Sequence, residues 1–303
     1  MEKVAKQIEI IPSRETSLES SKLLLTETNL LATFLYQKNA NTRKAYETDI
    51  KKFFTFYRGK TLKDIASAHV VVYFKEHPNL KDSTKARIKS SLSSLFKFCV
   101  KQRYLIENPC EHLDPIKVPD QTQFRVLSIE EVKRMLELEK NPRNKFLIQL
   151  LAKTGLRISE AISLTLENFK ERDGECYLIV VGKGSKTRTI KIPKDYLMLA
   201  QSLLKKDDLN ISTNTPLFRP KNNLKKAISQ KAGWEIVKKA ALRAGLSNKV
   251  SPHWLRHFHA TQSLKNGDDL RIIQKTLVHI SIVTTTKYTS VTPGQSSGGG
   301  IKI

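Results

Sequence analysis

Cysteine is scarce in this chain: Cys99, Cys110 and Cys176 are the only three, an odd number without C-x-x-C spacing. That pattern supplies neither a disulfide framework nor a zinc site, and the three read as buried thiols. Long apolar runs are missing as well. No stretch approaches the roughly 18 residues needed to span a bilayer. The N-terminal MEKVAKQIEIIPSRETS carries acidic residues and no apolar core of signal-peptide length, so a soluble, cytoplasmic protein with no membrane partner is expected. There is no G-x-x-x-x-G-K-[ST] phosphate loop, and Gly182-Lys183-Gly184-Ser185-Lys186 lies between strand-like runs instead of opening a helix. No carboxylate cluster suited to two divalent metals is evident, and His253, His257 and His259 are not spaced with cysteines or carboxylates in a metal-ligand motif. Neither a metal nor a cofactor is expected.

Acidic residues are also in short supply. Against 29 Asp and Glu stand 53 Lys and Arg, a formal net charge of +24. Such an excess draws polyanions, and neutralising phosphates releases their condensed counterions, so DNA or RNA is the first partner to consider. A membrane-surface protein or a merely solvated basic surface would share the composition, and the motifs must decide.

The length of 303 residues suits two domains, with 39% hydrophobic residues to build their cores. Residues 1–25 have weak periodicity and read as a loose N-terminal arm or a short leading helix. From there, Leu31, Phe34 and Leu35, then Tyr46, Ile50, Phe53, Phe54 and Tyr57, recur at helical spacing. Arg43 and Lys44 sit at the start of the second run. A short third helix is expected over Leu62–Glu76 and a fourth over Asp82–Arg103, with Lys85, Arg87 and Lys89 on its polar face. These basic residues are candidate DNA contacts, or ordinary solvated charges. Two prolines, Pro115 and Pro119, then mark a linker at 114–125 between a helical domain (26–113) and a second domain (126–303). The second opens at Ser128-Ile129-Glu130-Glu131, which has capping-box spacing. An apolar helix over Lys145–Lys153 follows. Strand-like runs at Cys176–Val181 and Thr187–Ile192 predict an antiparallel hairpin with Lys183 and Lys186 on its turn. Helical patterns cover 229–244, 255–265, 270–277 and 283–288.

Several groups suit a phosphodiester. Arg157 sits at a helix junction in Thr-Gly-Leu-Arg-Ile-Ser-Glu, where a guanidinium can bind phosphate oxygens bidentately, although a lone arginine is more often a surface salt bridge. His253 and Arg256, three residues apart, share a helix face if the turn after Pro252 has begun. His279 precedes Tyr288 in the last segment.

In combination and order these segments resemble the tyrosine recombinase (phage integrase) family. The matching blocks are TGLRISEAISLTLENF at 154–169, VGKGSKTRTIKIP at 181–193, SPHWLRHFHAT at 251–261 and LVHISIVTTTKYTSV at 277–291. Residues 26–118 resemble the family's helical, SAM-like core-binding domain, and the layout is closest to Xer-type recombinases. The resemblance implies a mainly α fold with a small antiparallel β-hairpin or sheet in the catalytic domain, and a two-domain clamp around double-stranded DNA. It implies Arg157, Lys183, His253, Arg256 and His279 as catalytic residues and Tyr288 as the nucleophile, with Lys186 the rival of Lys183 as general acid. Glu160 falls at an acidic position that orients the first arginine, and Val278 stands where the family usually has glycine. A homotetramer on two specific sites is implied, exchanging strands through a 3′-phosphotyrosyl link and a Holliday junction without metal or ATP. The expected role is chromosome dimer resolution at a dif-type site in the nucleoid, with room for a translocase activator. The alternatives are a mobile-element integrase or resolvase, a type IB topoisomerase, or a noncatalytic DNA-binding protein.

Overall fold

The computed structural model describes residues 18–118, 126–182, 187–205, 212–220, 223 and 225–277. The chain divides into two compact units, Met1–Pro119 and Asp120–Ile303.

The first unit is helical: α1 (Leu18–Tyr36), α2 (Ala40–Phe56), α3 (Ser67–Glu76) and α4 (Asp82–Lys101). The apolar stripes read from the sequence converge, burying Phe34, Ile50, Phe53, Leu92, Leu95 and Phe96 in one core. The expected helix over Leu62–Glu76 is broken. A 3-10 turn, Leu62–Asp64, comes first, held by the Asp64 carboxylate, which accepts from the Thr61 backbone N–H (2.7 Å) and hydroxyl (2.8 Å). Ile65 is then extended, which lets it bury its side chain before α3 begins. Likewise α4 ends at Lys101, before the expected Arg103, because Arg103 adopts a left-handed φ of 58°. Two buried carboxylates brace this unit. Glu27 accepts from the Leu62 N–H (2.9 Å) and the Tyr104 hydroxyl (2.7 Å), while Asp49 accepts from Arg87 and from Ser91 Oγ (2.8 Å).

In the second unit the capping box forms as read. Ser128 Oγ accepts from the Glu131 N–H (3.1 Å), and Glu131 Oε2 accepts from the Ser128 N–H (2.7 Å), starting α5 (Ile129–Glu137). α6 (Pro142–Thr154) has Phe146, Leu147, Ile148, Leu150 and Leu151 all buried, which marks a central helix. After α7 (Ile158–Ile162) come β1 (Phe169–Arg172), β2 (Glu175–Val181) and β3 (Thr187–Ile192), then α8 (Asp195–Lys205), α9 (Gln230–Arg243), α10 (Pro252–Lys265) and α11 (Leu270–Leu277). The expected β2–β3 hairpin is present, with Val180 paired to Arg188. β1 was not foreseen from the sequence. It joins β2 through Asp173 and Gly174, whose positive φ values of 52° and 70° give the two-residue turn that matches strand twist. Among the described residues the protein is thus mainly α, with one small antiparallel sheet ordered β1-β2-β3. The helix expected over 283–288 lies outside the described residues. Among the described residues no helix is long and apolar enough to cross a membrane.

Candidate active site

The site is organised around the end of α6. That helix stops at Gly155, which adopts a left-handed backbone (φ 62°, ψ 22°) and donates its N–H to the Leu151 carbonyl (3.0 Å). Glycine is required there twice over. An alanine Cβ would strain the left-handed backbone and would lie 2.6 Å from both His259 Cδ2 and Leu277 Cδ2. The tight turn delivers Arg157 at the mouth of α7, with its side chain 33% exposed.

Arg157 is fastened by Glu160. The carboxylate, three residues on, accepts from the Arg157 backbone N–H (2.9 Å) and from Nη1 (3.0 Å). Glu160 is itself buried and meets a second guanidinium, that of Arg188 on β3, at 2.7 Å and 3.3 Å. Burial pushes the Glu160 carboxyl upward, but the Arg188 side-chain bonds, the Arg157 backbone N–H, the Arg188 charge and the Arg157 side-chain bond outweigh it. The net result is a lowered pKa and a carboxylate held ionised.

Arg256 reaches the same turn from α10. It is buried, and it donates to the Gly155 carbonyl and to the Leu277 carbonyl at the end of α11. A guanidinium is a planar fork of five donors, so two carbonyls at helix ends fix its plane. The Gly155 turn therefore carries Arg157 in its chain and Arg256 on its carbonyl. His253 is exposed on the first turn of α10, and its ring lies 6.3 Å from that of His257. His259 packs on Gly155 from the same helix. Burial first, then the Arg256 charge, hold its imidazole well below the ordinary histidine range, to about 4, against the opposing pull of Asp268 and a bond to the Ala152 backbone.

Of the six catalytic candidates the structure thus brings Arg157 and Arg256 together and sets His253 one helical turn before Arg256. Lys183, His279 and Tyr288, with the rival Lys186, lie outside the described residues. Sequence reasoning missed Arg188 and the neutral His259. Arg188 had a signal: in Thr-Arg-Thr-Ile-Lys-Ile it shares strand parity with Ile190 and Ile192, so it had to face inward.

In the first unit the basic candidates differ in surroundings. Arg43 donates to the carbonyls of Leu35 (3.0 Å), Tyr36 (3.2 Å) and Lys38 (3.2 Å), closing the end of α1. Arg87 pairs with Asp49, and Lys89 donates to the carbonyls of Leu113 and Asp114. Lys44 is exposed, and Lys85 and Lys89 line a groove of about 550 Å³ together with Lys75.

The model of the phage integrase family matches residues 125–295, over the whole of this turn-centred site, and the model of that family's N-terminal SAM-like domain matches residues 29–103. The chain belongs to the phage integrase family. Its members are tyrosine recombinases, enzymes that cleave and rejoin DNA, and this chain is one of them. It is 32% identical over 272 residues to the tyrosine recombinase XerD of Oceanobacillus iheyensis, covering 83% of this chain and 88% of that protein. To the tyrosine recombinase XerC of Thermodesulfovibrio yellowstonii it is 31% identical over 281 residues, covering 87% and 91%. In fold it resembles the XerH site-specific recombinase bound to palindromic difH substrate, with a TM-score of 0.70 and 23% identity over 94% of this chain and 88% of that one. It likewise resembles a lambda integrase dimer bound to a core site, with a TM-score of 0.66 and 19% identity over 93% and 99%. Tyrosine recombinases act on double-stranded DNA, which accounts for the net charge of +24.

Proposed function

We propose that the chain is an Xer-like site-specific recombinase, acting in the cytoplasm on the nucleoid, in which Tyr288 attacks the scissile phosphate and holds the cut strand as a 3′-phosphotyrosyl ester. The observation that carries this reading is the common anchorage of Arg157 and Arg256 on the Gly155 turn. Transesterification at phosphorus builds negative charge on the nonbridging oxygens, and two permanently protonated guanidiniums anchored on one turn stabilise it. A phenol with an ordinary pKa near ~10 must lose its proton to attack, and His253 accepts it. Lys183, or Lys186 on the same turn, protonates the leaving 5′ oxygen, and His279 hydrogen-bonds the phosphate. The ester conserves the bond energy, so a second 5′ hydroxyl rejoins the strand without ATP.

On this reading a homotetramer clamps two DNA sites and exchanges strands through a Holliday junction. The XerD, XerC and XerH relatives favour a dif-type chromosomal site, with a translocase as activator. A mobile-element integrase of the same layout would share every residue named here. Lys44, Lys85, Arg87, Lys89 and Lys186 are the proposed contacts to the duplex, whereas the Arg43 guanidinium is engaged by three carbonyls at the end of α1. The test is a nicked duplex built on the genomic segment that the protein protects in footprinting. A denaturation-resistant adduct is expected with the unaltered chain and none with Tyr288→Phe; absence of adduct from the unaltered chain, or its persistence in the variant, would sink the assignment.

A further inference from the structure

We infer that Arg188 is a positioning residue for the first catalytic arginine: through Glu160 it fixes Arg157 and keeps the charge of Arg157 available to the scissile phosphate. The inference rests on the role given to Arg157 above.

The two oxygens of Glu160 are shared evenly. Oε1 accepts from Arg157 Nη1 (3.0 Å) and Arg188 Nη1 (3.3 Å), and Oε2 from the Arg157 backbone N–H (2.9 Å) and Arg188 Nη2 (2.7 Å). A carboxylate has about four acceptor positions, so these two residues account for that capacity. Arg188 binds as a fork, one nitrogen to each oxygen, which sets the plane of the carboxylate. That plane in turn sets where Nη1 of Arg157 lies.

Charge leads to the same conclusion. Glu160 and Arg157 alone would form a neutral pair, and the carboxylate would quench the field that the guanidinium presents to a phosphate. Arg188 returns the trio to a net charge of +1, and in a buried setting such interactions are weakly screened. Burial is graded to match: the Arg188 and Glu160 side chains are 5% and 7% exposed, whereas that of Arg157 is 33% exposed. Arg188 also occupies a strand position whose parity calls for an apolar residue, between the turn and Ile190. A buried ion pair is weak support for stability, since apolar residues of similar volume commonly serve as well. Here the trio ends on the residue expected to meet DNA.

The experiment compares the unaltered protein with Arg188→Met, which fills a similar volume without charge, on two nicked duplexes. One carries the natural phosphate at the scissile position, the other a methylphosphonate, whose methyl group removes the negative charge that Arg157 would stabilise. On phosphate, Arg188→Met is expected to form the covalent adduct about tenfold or more slowly, with duplex binding unchanged within about twofold. On methylphosphonate the deficit should shrink to about threefold or less. Arg188→Lys, which keeps a charge beside Glu160, should be intermediate on phosphate, and it carries the same comparison if Arg188→Met does not melt cooperatively. An equal deficit on both duplexes, or none on phosphate, overturns the inference while leaving the recombinase reading intact. No adduct from the unaltered protein on either duplex refutes the recombinase reading itself.

Discussion

Replacing Gly155 by alanine tests the geometry that joins Arg157 to Arg256. Two effects add at this position. Alanine in the left-handed region costs about 1–2 kcal/mol. Its Cβ would also lie 2.6 Å from the ring of His259 and 2.6 Å from a Leu277 methyl. The methyl ends a flexible side chain and can turn aside, but the ring is partly buried and bonded to the Ala152 backbone. Overpacking of this kind typically adds about 1–3 kcal/mol. Gly174 supplies the control. Its φ of +70° is nearly the same, yet an added Cβ would meet only Lys194 Nζ at 3.7 Å. Gly174→Ala should therefore show the backbone strain alone, and Gly155→Ala should exceed it by about 1–3 kcal/mol. Urea denaturation followed by tryptophan fluorescence reads the difference, because Trp234 and Trp254 both belong to the second unit. Gly155→Ala should in addition slow adduct formation well below its melting temperature, because the Gly155 carbonyl is an acceptor for Arg256. Equal destabilisation by the two substitutions would refute the steric argument.

His259 should make the second unit acid-sensitive. Its folded pKa lies near 4, depressed first by burial and then by the Arg256 charge, whereas the unfolded side chain titrates near ~6.5. The unfolded state therefore takes up the proton first as pH falls. The contribution is complete above about pH 6.5, declines between about 6.5 and 4, and reaches a loss on the order of 3 kcal/mol. An NMR titration of the His259 ring with its midpoint near 6.5 would contradict this. In the first unit Arg43→Ala should lower stability by about 1–2 kcal/mol through three lost carbonyl bonds. Lys44→Ala should leave the melt unchanged and reduce the salt dependence of DNA binding by about one counterion. Identical behaviour of the two variants in both assays would contradict the distinction.

Much of this architecture is legible in the sequence. Apolar residues at helical spacing mark α1, α2 and α4, the Ser128–Glu131 box marks the start of α5, and alternation marks the β2–β3 hairpin. β1 escaped because Phe-Lys-Glu-Arg offers one buried residue in four; the Asp-Gly pair after it was the available cue. The helix over Leu62–Glu76 failed because Asp64 turns back to Thr61, a competition between side chain and backbone that periodicity does not register.

The sequence by itself determined the polyanion-binding character, the family, and which residue types stand ready for phosphoryl chemistry, since each of these resides in composition or in short, ordered motifs. Only the tertiary structure decided what those residues touch. Arg43 reads as a basic surface residue until the end of α1 is seen folding under it. Glu160 and Arg188 are 28 residues apart, and Arg256 and the Gly155 carbonyl are 101 apart. Local patterns repeat every two or 3.6 residues and report which face is buried. They carry no record of which distant group arrives at that face, and here that arrival is what gathers two arginines at one glycine turn.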